Sequence, residues 1–258
     1  MKLFVVINQQ NNTEKLTIIK EAIEILKNNL KAEINVGEEA RLLLDDEEFS
    51  LFKEDEADYI VSIGGDACVL KAARIAIKYH KPLIGINAGR LGYLCAYKAS
   101  ELPFLNKESF FDLKESHRIL IKVQTGDQCY YAINDVVIGK SNFGKSIDVN
   151  VYLEDKFVAS WRGDGLIVAT PTGSTAYNQS AGGPILRYDA DNFVITPICP
   201  HFSSYKPLVV SSNNVIKIET HESFDNSPTV YIDGMKLMVL DGMLTVQKEK
   251  EQLILCMK

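Results

Sequence analysis

The chain has 258 residues, 46% of them apolar and 24% charged, which suits a globular protein with one large core or two modest ones. No run of about 18 apolar residues occurs, so no membrane span is expected, and the apolar start Leu3–Ile7 is too short for a leader and is followed by Gln9-Gln10-Asn11-Asn12. A net charge of −6 with no basic stripe excludes a polyanion binder, and five scattered cysteines without a CxxC pair read as reduced thiols of a cytoplasmic protein.

Leu3–Ile7 reads as a buried strand. Thr13 is a plausible helix cap, and Leu16, Ile19, Ile23 and Leu26 then recur at three- and four-residue spacing, lining one helix face. Between Gly37 and Asp58 ten acidic side chains face two basic ones, a local charge of −8 that reads as a solvated loop or helix face. Tyr59–Ile63 is a second buried strand closed by Gly64-Gly65. Val69–Tyr79 is helical, and Pro82–Asn87 is the next strand. Strand, helix, strand in this order predicts parallel pairing through a right-handed crossover.

After about Tyr97 the pattern changes. Short β-rich runs follow one another at Tyr130–Ile138, Ile147–Leu153, Phe157–Trp161, Leu166–Ala169, Val215–Ile218, Val230–Asp233 and Met243–Val246. The expected plan is therefore α/β plus all-β: a Rossmann-like α/β domain over 1–97 and a C-terminal β-sandwich domain over 98–258. The last ~15 residues are candidates to pack back on the first domain.

Three constellations could carry chemistry. Gly64-Gly65-Asp66 stands where a strand ends and a helix begins, so glycine backbone can approach a ligand or take positive φ, and the helix N-terminus attracts phosphate. Asp66 could accept a hydroxyl proton or hold hydrated Mg²⁺, Lys71 could reach phosphate oxygens, and the bland alternative makes Asp66 a helix cap. The second is Gly163-Asp164-Gly165, then the strand Leu166–Ala169, then Thr170–Pro184. In that block Thr172, Ser174, Thr175 and Ser180 offer hydroxyls, and Tyr177 can stack on a ring. The third is Asn134-Asp135, an amide and a carboxylate able to hold paired ribose hydroxyls. Strand neighbours point to opposite faces, so this requires a strand end or a bulge.

These pieces occur with Gly85–Leu94 and Ile195–His201 in an order, over roughly Tyr59–Met235, that resembles the NAD kinase family. The resemblance implies phosphoryl transfer from ATP, or from inorganic polyphosphate, to the 2′-hydroxyl of the adenosine ribose of NAD, with Mg²⁺ or another divalent ion. It implies that Asp66 is the general base and that Asn134 and Asp135 hold the ribose. Gly64, Gly65, Ala67 and Lys71 would border the donor phosphates. Thr172 and the stretch Thr175, Ala176, Tyr177, Asn178 and Ser180 would line the dinucleotide site, and Arg162, Asp164 and Cys199 would contact the rest of the dinucleotide. Family members assemble as dimers or tetramers, so a homo-oligomer is expected.

Two departures from the family pattern matter, and a third is mild. Ala67 replaces the usual fourth glycine-loop residue; if the backbone needs positive φ there, alanine costs about 1 kcal/mol. Met235 follows Asp233-Gly234 where many members carry glutamine, and Asp135 replaces the commoner glutamate. Ala67 alone motivates an alternative, a catalytically weak or silent NAD(P)-binding sensor. A lipid or sugar kinase is disfavoured by the long central block. The four histidines show no metal spacing, and no GxxxxGK[ST] is present.

Overall fold

The structure, a computed structural model, describes residues 1–8, 13–44, 49–89, 92–142, 144–202, 206–221 and 227–258. It divides into two compact units, residues 1–117 with 253–258, and residues 118–252.

In the first unit the elements are β1 (Lys2–Ile7), α1 (Thr13–Leu30), β2 (Glu33–Val36), α2 (Glu38–Leu44), β3 (Tyr59–Gly64), α3 (Asp66–Tyr79), β4 (Leu83–Asn87), β5 (Tyr97–Lys98) and α4 (Lys107–Phe111). The strands pair in parallel in the order β4-β3-β1-β2. β1 to β2 runs to one side and β3 lies on the other, so the order reverses between β1 and β3. In open α/β sheets, ligands bind outside the carboxyl ends of the strands at such a reversal, and here those ends are Ile7 and Gly64. The strands form because their apolar runs are buried on both faces, as β1 and β4 are almost throughout. α1 buries Ile19, Ala22, Ile23, Leu26 and Leu30 in the same core. Thr13, read as a cap, is itself the first helical residue; residue 12 lies outside the described residues.

The unit does not end at Tyr97. Leu102, Leu105 and Phe110 are buried in the first core, which carries the boundary to residue 117. Burial of those apolar side chains outweighs the local change in sequence character. At the end of the chain, Leu255 and Cys256 pair in parallel with Leu83 and Ile84.

The second unit contains β6 (Lys114–Thr125, entering from the first), β7 (Gln128–Ala132), β8 (Asp135–Gly139), β9 (Ile147–Leu153), β10 (Lys156–Gly163), β11 (Gly165–Ala169), α5 (Tyr177–Ser180), β12 (Asn192–Ile198), β13 (Leu208–Ser211), β14 (Ile216–Thr220), β15 (Thr229–Ile232), β16 (Met235–Val239) and β17 (Gly242–Met257, leaving into the first). One antiparallel sheet has the order β13-β12-β11-β8-β15-β16, and β10-β9-β14-β17 forms a second. Ile138, Leu166, Phe193 and Val230 from the first sheet share a buried core with Val149, Trp161, Ile218 and Leu244 from the second. This is the expected sandwich. The run Tyr130–Ile138 is not one strand: it breaks between β7 and β8, and Asn134 lies in the break. Among the described residues, no helix is long and apolar enough to cross a membrane.

Candidate active site

In the first unit the strand-to-helix turn after β3 carries Gly64, Gly65 and Asp66. Neither glycine has positive φ, which corrects one reason given for their presence. Gly64 is needed for space, because a Cβ there would stand 2.6 Å from Cys68 Cβ. Gly65, with open space around it, is the cap of α3 in extended conformation, and no side chain caps the helix. The first helix turn thus keeps amides directed outward, the arrangement that favours an anion.

Asp66 is the first helical residue, not the cap. Its Oδ2 accepts from the Tyr93 amide at 3.1 Å and its Oδ1 from the Leu94 amide at 3.0 Å. A carboxylate has about four acceptor positions, so each oxygen keeps one open for a ligand hydroxyl. The loop that supplies these amides is seated by Gly85, where a Cβ would meet Leu94 O at 2.7 Å and Cys95 Cα at 2.9 Å; the Ala96 amide donates to Gly85 O at 2.8 Å. Behind it, burial and then the Asp66 charge push the Cys95 thiol up to about 12, and burial pushes Cys68 up to about 11, so both stay neutral. Ala67 is exposed and helical, outside the positive-φ set, so the feared backbone strain is absent. Lys71, also exposed, lines a cavity of about 300 Å³ with Val6, Glu38 and Glu54; Asp66 does not line it.

In the second unit Asp135 opens β8 and Asn134 precedes it, so the pair has the strand end it requires. Thr170 ties this break to the next loop: its amide donates to Asn134 O at 2.9 Å and its Oγ1 to Ile133 O at 2.6 Å. Gly173 presses on the same carbonyl, where a Cβ would come within 2.0 Å of Asn134 O. On the other side the Asp233 carboxylate accepts from the amides of Ile133, Asn134 and Asp135 at 2.7 to 3.2 Å. Asp135 is 5% exposed, and burial first and Asp233 second push its carboxyl from 3.8 up to about 7.

The small-residue block after β11 divides into a frame and a surface. Asn178 is frame: its Nδ2 donates to Ser174 O and Pro184 O at 3.0 Å, while Thr196 Oγ1 donates to its Oδ1 at 2.6 Å. Its side chain is fully buried and braces the loop. Thr172 is also buried; Thr175, Tyr177 and Ser180 are exposed and Ala176 half-buried. Burial raises the Tyr177 hydroxyl, and Cys199, Asp164 and Asp135 raise it further, which puts the four groups in one neighbourhood. Asp164 is already paired, 2.5 Å from Lys140 Nζ. Cys199 is exposed in a left-handed backbone at φ 43°. Arg162 lies beside Ser146 and Asp148, its Nε donating to Ser146 Oγ at 3.1 Å. Met235 is 55% exposed.

Sequence reasoning missed Asp233 and Lys140. For Asp233 a signal existed: Asp-Gly between apolar runs marks a two-residue hairpin. Lys140 carries no local signal.

A family model described as the ATP-NAD kinase N-terminal domain matches residues 3–108, and one described as the ATP-NAD kinase C-terminal domain matches 133–253. The chain is 34% identical over 266 residues to an NAD kinase of Lachnoclostridium phytofermentans, covering 98% of this chain and 92% of that one. It is 36% identical over 209 residues to an NAD kinase of Acetivibrio thermocellus, covering 77% and 72%. Among solved structures, an NAD kinase from Archaeoglobus fulgidus in complex with ATP superposes with TM-score 0.76 at 28% identity, over 98% of this chain and 92% of that one. Yeast NADH kinase complexed with NADH gives TM-score 0.85 at 21% identity over 100% and 83%, a likeness of fold.

Proposed function

The chain belongs to the ATP-NAD kinase family, and from that premise we propose how its own residues phosphorylate the 2′-hydroxyl of the adenosine ribose of NAD with ATP. The observation that carries the assignment is that both family domains match, in order, with 34% identity over nearly the whole chain.

Asp66 takes the proton of the 2′-hydroxyl. The two amides that fix its oxygens leave lone pairs for that hydroxyl, and a positioned base contributes roughly 10²- to 10⁴-fold. Gly64, Gly65 and the outward amides around Ala67 receive donor phosphate oxygens, and Lys71 supplies positive charge nearby. Asn134 and Asp135 hold the ribose. A carboxyl at about 7 both donates and accepts near neutrality, which suits a hydroxyl pair. Thr175, Tyr177 and Ser180 give the dinucleotide its exposed surface, with Tyr177 stacking on a ring. Ala176 and Thr172 shape it, and Arg162, Asp164 and Cys199 border its remainder.

Mg²⁺ or another divalent cation accompanies ATP in this reading. Among the described residues no group of three or more His, Cys, Asp or Glu side chains could cage a metal. Such an ion would be held chiefly by triphosphate oxygens and water, as Mg²⁺ commonly is. We further propose a cytoplasmic homo-oligomer, a dimer or tetramer; the five free thiols support a reducing compartment.

The test is a coupled assay for NADP made from NAD, ATP and Mg²⁺, with polyphosphate as a parallel donor. NADP formation with ATP is expected. NAD binding without turnover for any donor or metal would overturn the reading in favour of a sensor.

A further inference from the structure

We propose that Asp233 is a positioning residue for the dinucleotide: the hairpin tip that carries it clamps the strand break presenting Asn134 and Asp135, and so governs affinity for NAD. The proposal rests on the kinase reading above and assigns a role to a residue outside it.

The clamp follows from local rules. Ile232 and Met235 pair across Asp233-Gly234, with φ of 48° and 78° at the two turn residues. That is a two-residue turn with both central residues left-handed, for which Asp-Gly is among the favoured sequences. β15 pairs with β8, Ile232 opposite Val136, so the turn lies beside the start of β8. There the carboxylate collects the Ile133, Asn134 and Asp135 amides, and the Asp233 amide donates back to Asp135 O at 3.1 Å. These amides sit in the interval where β7 has ended and β8 is only beginning. Without the carboxylate they would lose their common acceptor.

From the opposite side Thr170 and Gly173 fix the Asn134 carbonyl, so the dipeptide is gripped between two loops of one unit. A clamp selected for stability alone would avoid a second carboxylate beside a buried one, because like charges oppose each other there. Asp233 accepts that cost, and its charge helps keep Asp135 able to donate. The groups that face Asp135 electrostatically are Asp233 and Tyr177.

The experiment uses the full chain and compares wild type with Asp233→Asn and Asp233→Ala, measuring kcat and KM separately for NAD and ATP. Asn-Gly is itself a strong dipeptide for this turn, so the asparagine variant keeps the hairpin while removing the charge. KM for NAD should rise roughly 10- to 100-fold, as for loss of hydrogen bonds to a charged group, with KM for ATP unchanged. Loss of kcat with KM for NAD unchanged would mean a merely structural part and would overturn the proposal. A measurement on wild type needs no variant: exchange of the 133–135 amides should be slow and slow further with NAD. Fast exchange insensitive to NAD overturns the clamp. A wild type that makes no NADP would sink the kinase reading, whereas an active wild type with an NAD-indifferent Asp233→Asn sinks only the clamp.

Discussion

Asp66 and Asp135 each open a secondary-structure element after a turn, one a helix and one a strand, yet their surroundings differ in kind. Asp66 is half-exposed and takes two backbone amides, donors that complement a charged carboxylate. Asp135 is buried against another carboxylate and is held near neutrality in its proton equilibrium. One residue type therefore supplies two chemistries, a fixed acceptor and a hydroxyl partner able to donate. The difference comes from the Tyr93–Leu94 amides for one, and from burial first and Asp233 second for the other.

The sharpest way to break that comparison is at Asp66. A ribose hydroxyl is a poor nucleophile at neutral pH, and Asp66→Asn keeps size and reach while removing basicity. We expect kcat to fall by at least about a hundredfold, some 3 kcal/mol of barrier, with NAD affinity little changed. Steady-state kinetics with NAD titration checks both. Near-normal turnover would make Asp66 a seat for the Tyr93–Leu94 loop and leave proton removal to the donor phosphate.

Asp135 gives the next effect, read as stability against pH. Its folded value of about 7 lies above the 3.8 of the free side chain, so the folded state holds the proton more tightly. The resulting stabilisation is complete below about pH 4 and is lost as pH rises through about 7. Its ceiling is about 4 kcal/mol, reduced in practice by relaxation around the site. Asp135→Asn should flatten the fall in unfolding temperature between pH 5 and 8 relative to wild type. Parallel curves for the two proteins would show that Asp135 carries no such proton, while other titrating groups cancel in the comparison.

How much of this was legible follows the same divide. β1, β3, β4 and the buried face of α1 are local patterns of apolar residues and can be read directly. So can Gly64-Gly65-Asp66 as a strand-to-helix turn, though not the reason for Gly64, which is the later Cys68 side chain and not φ. The break at Asn134 is partly legible, since the polar pair Asn134-Asp135 interrupts the apolar run Tyr130–Ile138, but its cause is not, because the acceptor that gathers its amides is a carboxylate nearly a hundred residues on. The bracing role of Asn178 is equally illegible locally, because it rests on its partner Thr196 and its neighbour Gly183. The first unit's continuation to residue 117 rests on Leu102, Leu105 and Phe110, whose burial no local change of character announces.

The smallest effect is expected at Ala67, where the sequence comparison raises the largest concern. Glycine at this place in the family pattern suggests a backbone that alanine would strain. In the structure Ala67 is the second residue of α3, exposed, with ordinary helical φ. A helix interior favours alanine over glycine by up to about 1 kcal/mol, and less within the first turn. Ala67→Gly should therefore lower the unfolding temperature by at most about 2–4 °C and leave kcat/KM within about twofold. The methyl group remains the one feature able to crowd a donor phosphate, and KM for ATP isolates it: unchanged in the glycine variant if the methyl points clear. A fall in KM for ATP would identify a steric clash without strain, whereas a tenfold rise in kcat/KM would mean that the loop leaves its helical conformation when the phosphates bind.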